Sequence, residues 1–180
     1  MTQRIAIMLV AVTALMAGLY LSASFNRPAP APVFSAVNSD LVGSYRPDFR
    51  LGSSTGGFVT PADYAGKTLL INFWATWCVP CLKEMPMLME LQAEYGVAGL
   101  QIIGIALDDV QSVRDFVDEL GISYPILVGA TDVMETNRAY GNVAGMLPFS
   151  VLVDKDGIIR WQYAGEIQRN TITTILNEHL

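Results

Sequence analysis

The feature that most constrains the fold is the stretch Thr68-Leu69-Leu70-Ile71-Asn72-Phe73-Trp74, which runs almost directly into the chain's two cysteines, Cys78 and Cys81. An almost unbroken apolar run of strand length belongs to a β-strand buried on both faces, and such a strand needs a layer of structure above and below it. Residues 78–94 then read as a helix, with Glu84, Glu90 and Glu94 set among apolar residues and Gly96 just past the end. The dithiol therefore stands where a buried strand hands over to a helix N-terminus. Unpaired N–H groups and a partial positive charge at that end favour a thiolate at Cys78. Cys81, one turn into the helix, is close enough to close a disulfide and is expected to be the less exposed of the two. In thiol–disulfide exchange Cys78 would attack a substrate disulfide, and Cys81 would resolve the mixed disulfide by displacing the substrate thiol.

The rest of the chain supplies the layers. Residues 48–51 and 57–60 flank Gly52-Ser53-Ser54-Thr55-Gly56 as the arms of a β-hairpin. No Gly-Lys-Ser/Thr follows that glycine-rich turn, which sets aside a phosphate cradle. Residues 100–107 form a second buried strand, 110–120 a helix closed by Gly121, 126–128 a short strand, and 132–140 a helix stopped by Gly141. Residues 150–153 and 158–163 make a hairpin around Asp154-Lys155-Asp156-Gly157, and 167–180 a closing helix. Strands alternating with helices, then a hairpin and a last helix, imply an α/β domain with a mixed central sheet covered by helices on both faces.

Other uses of the cysteines fit less well. Zinc needs about four ligands, and beyond the cysteines there is one distant histidine, His179. Covalent haem attachment wants His after the second cysteine, where Leu82 stands. A disulfide closing so short a loop constrains little unfolded chain and would stabilise weakly. Copper(I) handling by the dithiol with Met85, Met87, Met89, Met134 and Met146 is the alternative from another class. Methionines alternating along a helix point in different directions, however, and serve more commonly as core filler or docking surface. A thiol peroxidase of this fold would want Thr three residues before its reactive cysteine, where Ala75 stands. No cofactor and no metal site is implied. Asp154-Lys155-Asp156-Gly157 lacks the remaining ligands of a calcium loop and reads as a hairpin turn.

The N-terminus reads differently. Nothing from Ile5 to Phe25 is charged, and a helix of that length reaches roughly 30 Å, the thickness of a hydrocarbon core. Arg4 precedes it, so this end is expected to stay cytoplasmic and the rest to lie outside. Residues 1–25 are thus expected to be a single-pass signal anchor in the inner (cytoplasmic) membrane. The alternative is a signal peptide cleaved near Ser22-Ala23-Ser24, leaving a soluble periplasmic protein. Residues 26–44, beginning Arg27-Pro28-Ala29-Pro30-Ala31-Pro32, form a Pro/Ala-rich linker, and 45–180 the domain. All 17 acidic residues lie at or beyond Asp40, while two of the 11 basic ones precede it. So acidic a domain disfavours nucleic acid as a partner.

The segment Ile71-Asn72-Phe73-Trp74-Ala75-Thr76-Trp77-Cys78-Val79-Pro80-Cys81-Leu82-Lys83-Glu84-Met85-Pro86 resembles the active-site segment of the TlpA/ResA group of thioredoxin-like proteins. The likeness extends to Pro47-Asp48-Phe49, Tyr64-Ala65-Gly66-Lys67, Tyr140-Gly141, Pro148 and Asp154-Lys155-Asp156-Gly157. It implies a thioredoxin-like fold and an extracytoplasmic, usually reducing, thiol–disulfide oxidoreductase. Such proteins draw electrons from a membrane thiol-transfer protein and act on protein disulfides, among them those of apocytochrome c and of copper-centre proteins. It also implies that Pro148 is a cis-proline beside the dithiol and that Leu147 pairs with an extended substrate segment. Asn72 replaces the buried, proton-shuttling Asp of thioredoxins proper, and Glu84 becomes the candidate for that work. Trp77 is expected beside bound substrate, Trp74 in the core, and Pro86 to kink the helix. Between Tyr140 and Pro148 the chain is two residues longer than the family pattern, and Phe149-Ser150 replaces its threonines. Val79-Pro80 places no charge between the cysteines, which points to a reductant.

Overall fold

Residue 68 to residue 74 decides the layering, because alternate side chains of a strand point to opposite faces. The computed structural model describes residues 41–180. In it β3 (Thr68–Trp74) is buried along its whole length. Leu69, Ile71 and Phe73 enter one apolar cluster, and Leu70 and Trp74 enter the other. Around β3 lie β1 (Leu51–Ser53), β2 (Phe58–Val59), β4 (Leu100–Leu107), β5 (Ile126–Gly129), β6 (Phe149–Val153) and β7 (Ile159–Ala164). These form one sheet in the order β2-β1-β5-β4-β3-β6-β7. The β3–β4 and β4–β5 pairs are parallel, and the others antiparallel.

Helices α1 (Val79–Tyr95), α2 (Val110–Leu120) and α4 (Arg169–His179) send Met85, Leu88, Val113, Ile172 and Leu176 into one face. Helix α3 (Thr131–Ala139) sends Val133 into the other, beside Tyr140, Phe49 and Leu51. The α2 start is capped by Asp109, whose side chain accepts from the N–H groups of Gln111 and Ser112, and Gly121 ends it in the left-handed conformation.

The hairpin is displaced from its expected position. Its first arm is Leu51–Ser53, not residues 48–51, because Gly52 and Ser53 pair with Val128 and Leu127 of β5. Phe49 instead enters the core, and the Tyr140 hydroxyl donates to the Pro47 carbonyl at 2.8 Å. Asp154 turns the β6–β7 connection as expected: its Oδ1 accepts from the N–H groups of Asp156 and Ile158, and Gly157 takes φ +83°. Among the described residues Leu41 already packs against the domain's core, and the Gly43 N–H donates to the Ile159 carbonyl at 2.8 Å. The expected membrane segment and most of the linker lie outside the described residues. No helix among the described residues is long and apolar enough to cross a membrane.

Candidate active site

β3 ends at Trp74, and Ala75-Thr76-Trp77-Cys78 make a turn closed by the Cys78 N–H donating to the Ala75 carbonyl at 3.1 Å. Cys78 is the N-cap of α1. Pro80 is tolerated in the first turn, where N–H groups have no intrahelical acceptor to meet. Cys78 and Cys81 are joined as a disulfide with Cα atoms 5.3 Å apart. Cys78 keeps 5% exposure and Cys81 none, so Cys78 is the more accessible of the pair. Trp77 is 66% exposed, whereas Trp74 is fully buried against Phe116. Helix α1 runs on through Pro86, which lies on its solvent side.

The strands on either side of β3 set the surroundings of the turn. Asp108, at the exit of β4, accepts through Oδ2 from the Thr76 N–H (3.1 Å) and hydroxyl (2.5 Å). Because Trp74 pairs in parallel register with Ala106, Asp108 emerges level with Thr76. On the other side Phe73 pairs with Phe149, so the chain entering β6 lies at the same end as the chain leaving β3. That entry contains Leu147–Pro148, a cis peptide bond as the family likeness implies. The Pro148 carbonyl accepts from Gly165 N–H at 2.8 Å, while the Leu147 N–H and carbonyl make no hydrogen bond among the described residues. The longer loop before them is held by buried Asn142, which accepts from the Met146 N–H and donates to its carbonyl (3.0 and 2.6 Å).

Glu84 is buried, one turn beyond Cys81 on the same helix. Its Oε1 accepts from the Asn72 amide and its Oε2 from the Ile167 N–H, both at 2.7 Å. Burial pushes its carboxyl up from the ordinary 4.5 to about 7, against the pull of those two hydrogen bonds, and the charge of Glu166 adds a little. Such a group gains and loses a proton near neutrality.

Cys78, Cys81, Glu84, Leu147 and Pro148 thus gather at one end of the sheet, and Trp77 stands exposed beside Cys78. Asn72 and Ser150, legible in the sequence only as departures from the family pattern, complete the setting with Asp108 and Asn142, which carry no sequence expectation. Asp108 had a legible signal, since polar residues just past parallel strands tend to line sites in open α/β sheets. The methionines differ in setting. Met85 is fully buried, Met87 and Met89 pack against the core, and Met134 and Met146 are exposed.

A thioredoxin-like sheet that holds a vicinal dithiol at a helix N-terminus, beside a cis-proline, defines a thiol–disulfide oxidoreductase. The chain belongs to the AhpC/TSA family, whose model matches residues 42–162. It is 33% identical over 155 residues to the thiol-disulfide oxidoreductase ResA of Geobacillus thermodenitrificans, a match covering 86% of this chain and 87% of that one. It is 36% identical over 126 residues to ResA of Bacillus anthracis, covering 69% and 70%. A solved thiol-disulfide oxidoreductase from Bacteroides fragilis superposes with TM-score 0.67 at 27% identity, covering 76% of this chain and all of that one.

Proposed function

We propose that this oxidoreductase is an extracytoplasmic reductant of disulfides in exported proteins. The observation that carries the reading is the setting of the dithiol: Cys78 at a helix N-terminus, uncharged Val79-Pro80 between the cysteines, and a buried carboxyl one turn past Cys81. In the reduced protein the Cys78 thiolate attacks one sulfur of a substrate disulfide, forming a mixed disulfide and releasing one substrate thiolate. Glu84 takes the Cys81 proton, and the Cys81 thiolate attacks Cys78 Sγ. The Cys78–Cys81 disulfide forms, the second substrate thiolate leaves, and two electrons have passed to the substrate. The two substrate thiolates take up two protons, one from solvent, replacing the one Cys78 lost on ionising, and one from Cys81 by way of Glu84.

Leu147 offers an unpaired N–H and carbonyl to an extended substrate segment, and Trp77 covers it from the dithiol side. Electrons return by the same exchange run in reverse with a membrane thiol-transfer protein. The protein is held in the cytoplasmic membrane by residues 1–25, or freed to the periplasm if they are cleaved, with 26–44 as spacer and 45–180 outside. Apocytochrome c and copper-centre assembly proteins are the substrate classes that the family likeness suggests.

The test is the reduction potential of the Cys78–Cys81 couple, equilibrated against glutathione and dithiothreitol buffers. A value near or below about −250 mV supports a reductant that needs an electron supply. A value above about −150 mV marks an oxidant and overturns the assigned direction.

A further inference from the structure

Glu84 shuttles a proton only if both of its charge states are accommodated in a site closed to water, and its hydrogen bonds as they stand suit one state. Ionised, Glu84 accepts at both oxygens, from the Ile167 N–H and from Asn72 Nδ2. Protonated, it carries an O–H on one oxygen and must find an acceptor there. The Ile167 N–H is backbone and can only donate, so the O–H falls to Oε1, which faces Asn72. Asn72 is fully buried. Its Nδ2 donates both to Glu84 Oε1 (2.7 Å) and to Ser150 Oγ (2.9 Å), while its Oδ1 is buried without any partner. A buried polar atom left unpaired is costly.

We infer that Asn72 is the positioning residue that lets Glu84 change charge, its amide turning half a revolution to offer Oδ1 in place of Nδ2, with Ser150 as the partner that follows. The geometry allows it because the terminal amide torsion is close to two-fold, so the turn exchanges donor for acceptor with little change of shape. In the turned state Oδ1 accepts from the Glu84 O–H and from the Ser150 hydroxyl, which both donates and accepts, and the unpaired position passes from Oδ1 to Nδ2. The proton involved is the one that Cys81 gives up before attacking Cys78, and it leaves again to the departing substrate thiolate. The other ionisable groups facing Glu84 are Glu166, the buried Tyr124 hydroxyl and the dithiol itself. None of them donates or accepts a hydrogen bond at a Glu84 oxygen in this structure. An aspartate at position 72 would titrate, whereas an asparagine serves a neighbour that titrates. The inference rests on Glu84 being the proton carrier.

The test uses the full-length chain with its asparagines labelled by nitrogen-15, following the Asn72 side-chain amide by NMR from pH 5 to 9. In parallel, the rate at which the reduced protein reduces glutathione disulfide is measured over the same range. The amide resonances are expected to move with the same midpoint as the activity profile, and to stop moving in Glu84→Gln. In Asn72→Ala the carboxylate loses a charge-assisted donor, and the midpoint should rise by about one pH unit, a tenfold loss of carboxylate at a given pH. An Asn72 amide that stays fixed across a pH range in which activity titrates overturns the inference, and this arm needs no variant at position 72. An activity profile unchanged by Glu84→Gln overturns the proton-carrier assignment instead.

Discussion

Replacing Glu84 by Gln should reverse the protein's relative stability between acid and alkaline pH. In the folded state the Glu84 carboxyl titrates at about 7, against 4.5 when unperturbed. Between those values the folded protein holds a proton that the unfolded chain has released, so stability falls as pH rises. The contribution is fully present below about 4.5, is lost through about 7, and is constant above. At about 1.4 kcal/mol per unit, the interval corresponds to about 3 kcal/mol. Gln stays neutral and has no such slope. It keeps one acceptor for the Ile167 N–H, and its own N–H meets Asn72, whose unpaired Oδ1 takes it once the amide turns. The remaining mismatch costs about 1 kcal/mol. Glu84→Gln should therefore be about 1 kcal/mol less stable than the parent near pH 4.5 and about 2 kcal/mol more stable near pH 8. Urea unfolding of the oxidised proteins, followed by tryptophan fluorescence at half-unit pH steps, reads the difference directly. Two stability curves that stay parallel from pH 4.5 to 8 would refute the assigned carboxyl and its burial-driven shift.

Two further outcomes follow from the site. Cys81→Ser should trap the mixed disulfide, giving a covalent adduct through Cys78 that dithiothreitol releases, whereas Cys78→Ser should form no adduct; the check is non-reducing electrophoresis with mass spectrometry. Trp77→Ala, at a 66% exposed position, should change stability by less than about 0.5 kcal/mol, yet lower kcat/KM for a protein disulfide several-fold more than for glutathione disulfide. Equal losses on both substrates would remove Trp77 from substrate contact.

Local pattern was enough for the elements that carry the chemistry. The apolar run of β3, the dithiol after it and the end of α1 at Gly96 are all written in neighbouring residues, because burial on both faces and helix termination leave marks within a few positions. Even Glu84 could be placed, since three residues past Cys81 on a helix is the same face. What eluded the sequence was everything set by register. The hairpin arm moved to Leu51–Ser53 because its pairing with β5 comes from far along the chain. Asp108 meets Thr76 because β3 and β4 run in parallel with Trp74 level with Ala106.

The sequence by itself determined the class of protein: a buried strand feeding a helix whose first turn holds both cysteines admits few folds and one dominant chemistry. Tertiary structure alone decided which groups surround that dithiol. Asn72, Ser150 and Ile167 stand 12, 66 and 83 residues from Glu84, and the fold brings Asn72 and Ile167 to its carboxyl and Ser150 to the Asn72 amide. Burial, and not the carboxyl's intrinsic acidity, raises its pKa against the pull of the Asn72 and Ile167 hydrogen bonds, because desolvation is a property of what closes over a group and is invisible until the chain has folded.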